Sequence, residues 1–344
     1  MTLVGQFSIA PLGRYPPTIG LPFGGISGLA ISPDGSLLGI SDAQRGGRIY
    51  RFAIEGLGGS LRVTPSEVIP LESAAADALS DHEALVALPN GHYLVASEGT
   101  GREPRRPPSI EEYERYGTYV RRLPVRDRYV PEPTGPVTRG ARGNAGFESL
   151  ALTPDRHRLF TATETALIQD GPTATFDAGT HARILEYEAH DGTFRPAREF
   201  AYYVERVENA SFKPGVFING LVELLALDRT TLIALERGYV EDETKSGMSV
   251  NQIRIYRVSL AGASDISTLE SLKDHPEVVP ASKTLLLDLA TVQGLSGELA
   301  PSLDNFEGMA LGPHLPDGRA SLILVSDDNF RETQRTWFLV FAIE

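Results

Sequence analysis

Carboxylates recur in pairs along this chain: Glu83 with Glu98, Glu148 with Glu164, Glu223 with Glu236, and Glu307 with Asp327. Ser27 and Asp42 form a fifth pair in which serine stands in the first place. Grouped carboxylates repel one another and climb in pKa unless a cation answers them. Oxygen-only donors suit Ca²⁺ best, with Mg²⁺ or Mn²⁺ as the smaller alternatives. Arginine is the other answer, and the loops after the acids supply Arg45, Arg102, Arg237 and Arg331. A site with both kinds of group would polarise a phosphate ester, or the carbonyl of an ester or lactone.

Between the members of each pair lie two short apolar runs and a turn. The runs read G-L-A-I and L-L-G-I around Pro33-Asp34-Gly35, and A-L-V-A-L and Y-L-V-A around Pro89-Asn90-Gly91. Proline presets φ and glycine accepts a positive φ, so each such unit reads as an antiparallel hairpin. The start of its first strand and the end of its second then share one rim, which places each acidic pair at an edge. Further β-like segments follow each pair. The unit after Glu98 is the least regular, with Thr118–Leu123 and Arg128–Pro131 as its outer strands. The fifth lacks an outer strand, which Val4–Ala10 at the N-terminus would supply.

Four strands per unit, repeated and closed by the termini, predict an all-β fold: a β-propeller of five visible units in a single domain over residues 1–344. The interval Glu223–Glu307 is long enough to hide a sixth blade. An Arg- and Pro-rich insertion spans 101–146, a basic island in an acidic protein, whose simplest reading is a solvated loop answering Glu111, Glu112 and Glu114. In a propeller the inner rims face the axis, so Glu83, Glu148, Glu223 and Glu307 are expected around one opening, with Asp42, Glu98, Glu164, Glu236 and Asp327 beside them. For any one of these acids the simpler role is structural, bonding backbone N–H groups or a nearby arginine.

Composition removes several alternatives. A net charge of −13 argues against nucleic acid or an anionic membrane as partner, and zero Cys excludes disulfides, thiolate zinc sites and thiol catalysis. Met1-Thr-Leu-Val-Gly5 carries neither a basic nor an apolar leader region, so the expected compartment is cytoplasmic, or periplasmic or secreted if a signal has been removed. Gly25-Ile26-Ser27-Gly28 is not a G-x-S-x-G nucleophile elbow. His82, next to Glu83, is a candidate general base or ligand, with a hydrogen-bonded structural role as the alternative. Asp327-Asp328-Asn329 has a calcium-loop flavour without EF-hand spacing.

The segments Gly25–Ala30, Ser41-Asp42, Ser97-Glu98-Gly99, Asn144-Ala-Gly-Phe-Glu-Ser-Leu-Ala151, Thr163-Glu164 and Asn305-Phe-Glu-Gly-Met-Ala310 resemble the phytase-like β-propeller family, labelled esterase-like activity of phytase. The resemblance runs from about Gly25 to the C-terminus. It implies a bacterial, often exported propeller with phosphoesterase or esterase activity. Likeness to calcium-dependent propeller phytases is confined to architecture and an acidic channel, since their catalytic motifs are not found residue by residue.

The expectation is therefore a metal-dependent hydrolase of small anionic phosphate or carboxylic esters, with Ca²⁺ as cofactor. Glu148, Glu307 and His82 would do the chemistry, and Arg45, Arg102, Arg237 and Arg331 would clamp the substrate. The nine acids Asp42, Glu83, Glu98, Glu148, Glu164, Glu223, Glu236, Glu307 and Asp327 would hold metal. A calcium-dependent lactonase and a non-catalytic ligand- or partner-binding propeller are the alternatives.

Overall fold

The structure is a computed structural model that describes residues 1–13, 21–72, 81–208, 211–245, 247–299 and 302–343. After a leading strand β1 (Thr2–Ile9) come β2 (Ile26–Ile31), β3 (Leu37–Ser41), β4 (Arg48–Glu55) and β5 (Arg62–Pro70), the first blade. The second blade holds β6 (His82–Ala87), β7 (Tyr93–Ser97), β8 (Ser109–Tyr113) and β9 (Tyr119–Arg122). The third holds β10 (Ala151–Leu152), β11 (Arg158–Ala162), β12 (Thr180–His190) and β13 (Thr193–Val204). The fourth holds β14 (Pro214–Ala226), β15 (Thr231–Asp242), β16 (Ser249–Ser259) and β17 (Ser282–Asp288). The last holds β18 (Asn305–Gly312), β19 (Ala320–Asp327) and β20 (Thr336–Ile343), and β1 pairs antiparallel with β20 to complete it.

Five four-stranded sheets account for every strand among the described residues, and the fold is an all-β, five-bladed β-propeller. The long interval before Glu307 contains the outer strands of the fourth blade and a loop. No further sheet lies there among the described residues.

The hairpin turns form as their composition dictates. Gly35, Gly91 and Gly318 all have positive φ, and their N–H groups donate to Ser32, Leu88 and Leu315. The 101–146 segment departs from a plain loop because it contains β8 and β9. Arg128–Pro131, expected as a strand, instead begins in a short 3-10 turn at Asp127–Tyr129. Proline-rich flanks hold that stretch off the ladder.

By contacts the chain divides into two compact units, Met1–Val95 with Glu111–Arg122 and Thr291–Glu344, and Ala96–Ile110 with Leu123–Ala290. In the first unit one core joins the first and last blades through Phe23, Ile26, Phe52, Ile323 and Phe338. A second core joins β2–β4 to the second blade through Leu38, Ile40, Leu85, Val95 and Tyr113. In the other unit Phe160, Ile184, Tyr202, Leu224 and Leu232 pack the third blade on the fourth.

Within the first unit the innermost strands meet at van der Waals contact of their backbones. A Cβ on Gly28 would lie 2.5 Å from the Glu83 carbonyl oxygen, and one on Gly308 2.9 Å from the Ser27 carbonyl oxygen. Only glycine fits there, which is the physical reason for glycine in S-G-L-A and E-G-M-A.

Candidate functional site: carboxylates at the strand ends

A β-bulge sets the first member of the pair in the first and last blades. In β2 the register passes from Ile26↔Ser41 to Gly28↔Ile40, leaving Ser27 unpaired, and in β18 it passes from Phe306↔Ser326 to Gly308↔Val325, leaving Glu307 outside the ladder. The extra residue bends the strand and re-aims its side chain. Asp42 follows directly on β3, and its N–H donates to the Gly25 carbonyl at 2.9 Å. Glu164 repeats that bond, its N–H donating to Gly146, as far before Glu148 as Gly25 is before Ser27.

The fourth blade departs from this pattern by one residue. Its bulge leaves Val222 outside the ladder, between Leu221↔Glu236 and Glu223↔Leu235. Val222 and Arg237, rather than Glu223 and Glu236, therefore occupy the positions that Ser27 and Asp42 hold in the first blade. A one-residue offset on a strand turns a side chain to the other face. Glu236 accordingly lies in a buried network: it accepts from Tyr202 Oη at 2.7 Å, Asn219 Nδ2 at 3.1 Å and the Glu205 N–H at 3.1 Å, and it pairs with Lys283. The buried Glu223 accepts from the N–H of Leu224 at 2.9 Å. Arg237 pairs with buried Glu164 at 3.5 Å, and Gly220 leaves room for that carboxylate.

In the first unit the acids converge. Burial first, then the charges of Glu307, Asp81 and Asp328, hold the Asp42 carboxyl well above the ordinary carboxylate value. Asp327 is raised well above it too, by burial and then by Asp42 and Glu307. Asp42 Oδ1 and Ser27 Oγ are both shut off from solvent without a hydrogen-bond partner. Asp81 and Glu83 present oxygens within 4.8 Å of each other. Asp328 is instead tied down: its Oδ1 accepts the N–H groups of Gly25 at 2.9 Å and Phe330 at 3.0 Å, and its Oδ2 the Thr336 hydroxyl. Gly25 sits at φ 65°, where a Cβ would strike Asp42 Oδ1.

The four arginines expected to clamp substrate lie in different settings, Arg237 being paired with Glu164 as described. Arg45 and Arg331 are exposed and make no ion pair among the described residues, and Arg102 is exposed on the segment after Glu98. The cation that acts on Asp42 is the buried Arg48, held by Tyr50 Oη at 2.7 Å and by the carbonyls of Gly46 and Pro22. Its position inside β4, not in a loop, hid it from a search of the loops. His82 is buried with its ring edge-on to Tyr113, and Nδ1 has no partner. Desolvation lowers its pKa to about 4, so it is neutral at pH 7.

Several arginines of the basic island are spent on structure. Arg121 pairs with Glu112 at 2.6 Å, Arg122 with Glu111 at 2.7 Å, and Arg126 with the buried Glu199 at 2.9 Å.

These features define a five-bladed propeller with raised-pKa carboxylates at the ends of its inner strands. The chain belongs to the family described as "Phytase-like: Esterase-like activity of phytase", which it matches over residues 21–330. No curated protein matches it. Among solved structures it is similar to a streptogramin B lyase, at 12% identity and TM-score 0.38 over 97% of this chain and 96% of that one. A glycosyl hydrolase from Bacteroides ovatus gives 9% identity and TM-score 0.43 over 97% and 90%. The PQQ-bound aldose sugar dehydrogenase from Streptomyces coelicolor gives 11% and 0.35 over 99% of both chains.

Proposed function

We propose that this chain is a metal-dependent hydrolase of small anionic phosphate or carboxylic esters, working at the Asp42, Glu307 and Asp327 carboxylates. The observation that carries this reading is the mutual elevation of Asp42 and Asp327 with Glu307 between them in charge. Such a cluster is costly for folding, and a cation or a retained proton offsets it. Its donors are hard oxygens, and Asp42 Oδ1 and Ser27 Oγ have no protein partner, which fits Ca²⁺. Asp42, Glu307 and Asp327 would hold the ion, with Ser27 Oγ and the pair Asp81 and Glu83 as further donors. Bound there, the ion would supply Lewis-acid polarisation of an ester oxygen.

The residues of the chain contribute the rest. Burial and mutual charge favour the neutral forms of Asp42 and Asp327 in the metal-free chain, and a bound cation would favour their ionised, ligating forms instead. Arg48, fixed by three hydrogen bonds, steadies the negative charge of the cluster. The acids of the other unit suit a structural task better, since Glu164 and Glu236 already carry cationic partners.

Calcium titration and hydrolysis of p-nitrophenyl phosphate and p-nitrophenyl acetate test this together. Ca²⁺ should raise the melting temperature and EDTA reverse it. Glu307→Gln with Asp327→Asn should remove both that response and turnover. A wild-type chain indifferent to Ca²⁺ and inert on both esters would end the proposal.

A further inference from the structure

Residues Asp328–Arg331 make a tight turn directly after β19, closed by the Arg331 N–H donating to the Asp328 carbonyl at 2.8 Å. Its two central residues, Asn329 and Phe330, both have positive φ, 47° and 52°. Turns of this form take asparagine readily at the first of those places and favour glycine at the second. Phenylalanine is held there in a conformation that its bulk disfavours. The neighbouring acids pin the backbone: the Asn329 N–H donates to Asp327 Oδ1 at 2.8 Å, and the Phe330 N–H to Asp328 Oδ1 at 3.0 Å.

A conformational cost borne for one residue points to what its side chain does. The Phe330 ring lies on the backbone of Gly24 and Gly25. A Cβ on Gly24 would stand 3.0 Å from Phe330 Cδ1, and one on Gly25 2.5 Å from Cε2. The same Cβ on Gly25 would strike Asp42 Oδ1, so the ring and that oxygen are within van der Waals reach of each other. Asp42 Oδ1 is the oxygen that has neither a hydrogen-bond partner nor contact with solvent. The Arg48 guanidinium stands 5.8 Å from the ring centroid and holds it by a cation–π contact. Phe330 is itself half-buried, touching solvent as well as the acid cluster.

We propose that Phe330 is a positioning residue for the cation site at Asp42 and Asp327: its ring covers Asp42 Oδ1, keeps water from that side of a bound ion and slows the ion's release. This rests on the metal reading above and adds to it the element that controls hydration and exchange. Excluding water strengthens the hold of the carboxylates on the ion, and of the ion on an ester oxygen.

Phe330→Gly is the decisive variant, because glycine suits the turn that phenylalanine strains and only the ring is lost. Phe330→Leu keeps an apolar cover. Eu³⁺ serves as the spectroscopic stand-in for Ca²⁺ on the full chain, and the signal assigned to this site is the one that Glu307→Gln with Asp327→Asn removes. Luminescence lifetimes in light and heavy water count the waters on the bound ion, and stopped-flow mixing with excess EDTA gives its release rate. In Phe330→Gly the ion should carry about one further water and leave roughly tenfold faster, while Phe330→Leu should stay close to wild type. Unchanged hydration and release in a folded Phe330→Gly chain would overturn the assignment and leave the metal site standing. Loss of Eu³⁺ binding from that folded variant would overturn it too, because the ring would then build the site rather than cover it. A wild-type chain without such a signal would end the metal reading and this inference with it.

Discussion

Replacing His82 by phenylalanine should make the protein more resistant to acid, by an amount the burial of the ring sets. The folded chain keeps the imidazole neutral, with its pKa lowered to about 4 from an ordinary 6.5. Between those values the unfolded chain binds a proton that the folded chain refuses, so stability is lost as pH falls through that window. At 1.36 kcal/mol per pH unit the full loss is about 3 kcal/mol, and about 2.5 kcal/mol of it is already felt at pH 4.5. Phenylalanine keeps the edge-on contact with Tyr113 and has no proton to accept.

Urea unfolding of both proteins at pH 7.5, 5.5 and 4.5 measures the difference directly. Carboxylate titrations common to the two proteins cancel in the subtraction. The stability of His82→Phe relative to wild type should grow by about 2.5 kcal/mol from pH 7.5 to 4.5. A relative stability that stays flat across this range would refute the desolvation argument. The same variant bears on chemistry, because a buried ring with a pKa near 4 is a poor base at pH 7. Ester hydrolysis should survive the change, and its disappearance from a folded variant would restore His82 to the catalytic set.

The remaining predictions separate structural acids from those placed to serve a cation. Lys283→Met leaves Glu236 buried and without its cationic partner, which should cost about 3–5 kcal/mol in urea unfolding while leaving the calcium response intact; a loss below about 1 kcal/mol would mean the pair is not buried as described. Asp327→Asn should act with the opposite sign to His82 on the pH axis. A carboxyl raised in the folded state holds a proton that the unfolded chain releases above 3.8, so wild-type stability declines as pH rises through that window. The asparagine variant should lack this decline and be the more stable protein at pH 7 without Ca²⁺; a less stable variant would show that Asp327 is already compensated.

Hairpins and their turns are local, so the carboxylate rims of the first and last blades were legible from residue order alone. The fourth blade shows where that legibility stops. Glu223 and Glu236 imitate the acidic pair, yet the bulge at Val222 decides which side chains take the two positions, and it selects Val222 and Arg237. Spacing alone does not settle it, because Ser27 and Asp42 hold these positions 15 residues apart and Glu307 and Asp327 hold them 20 apart. An acid sought by type was found one residue away from the place sought by geometry. The arginines of the 101–146 segment posed a harder problem, because their partners are remote in sequence. Arg126 and Arg128 both meet Glu199, and no local pattern announces that meeting. Arg142 of the same segment is held instead by the carbonyls of Ala166 and Gly171, which are also remote in sequence. Charge counted along the chain says how many arginines are present, and only the fold says which carboxylate or carbonyl answers each of those whose partner is remote.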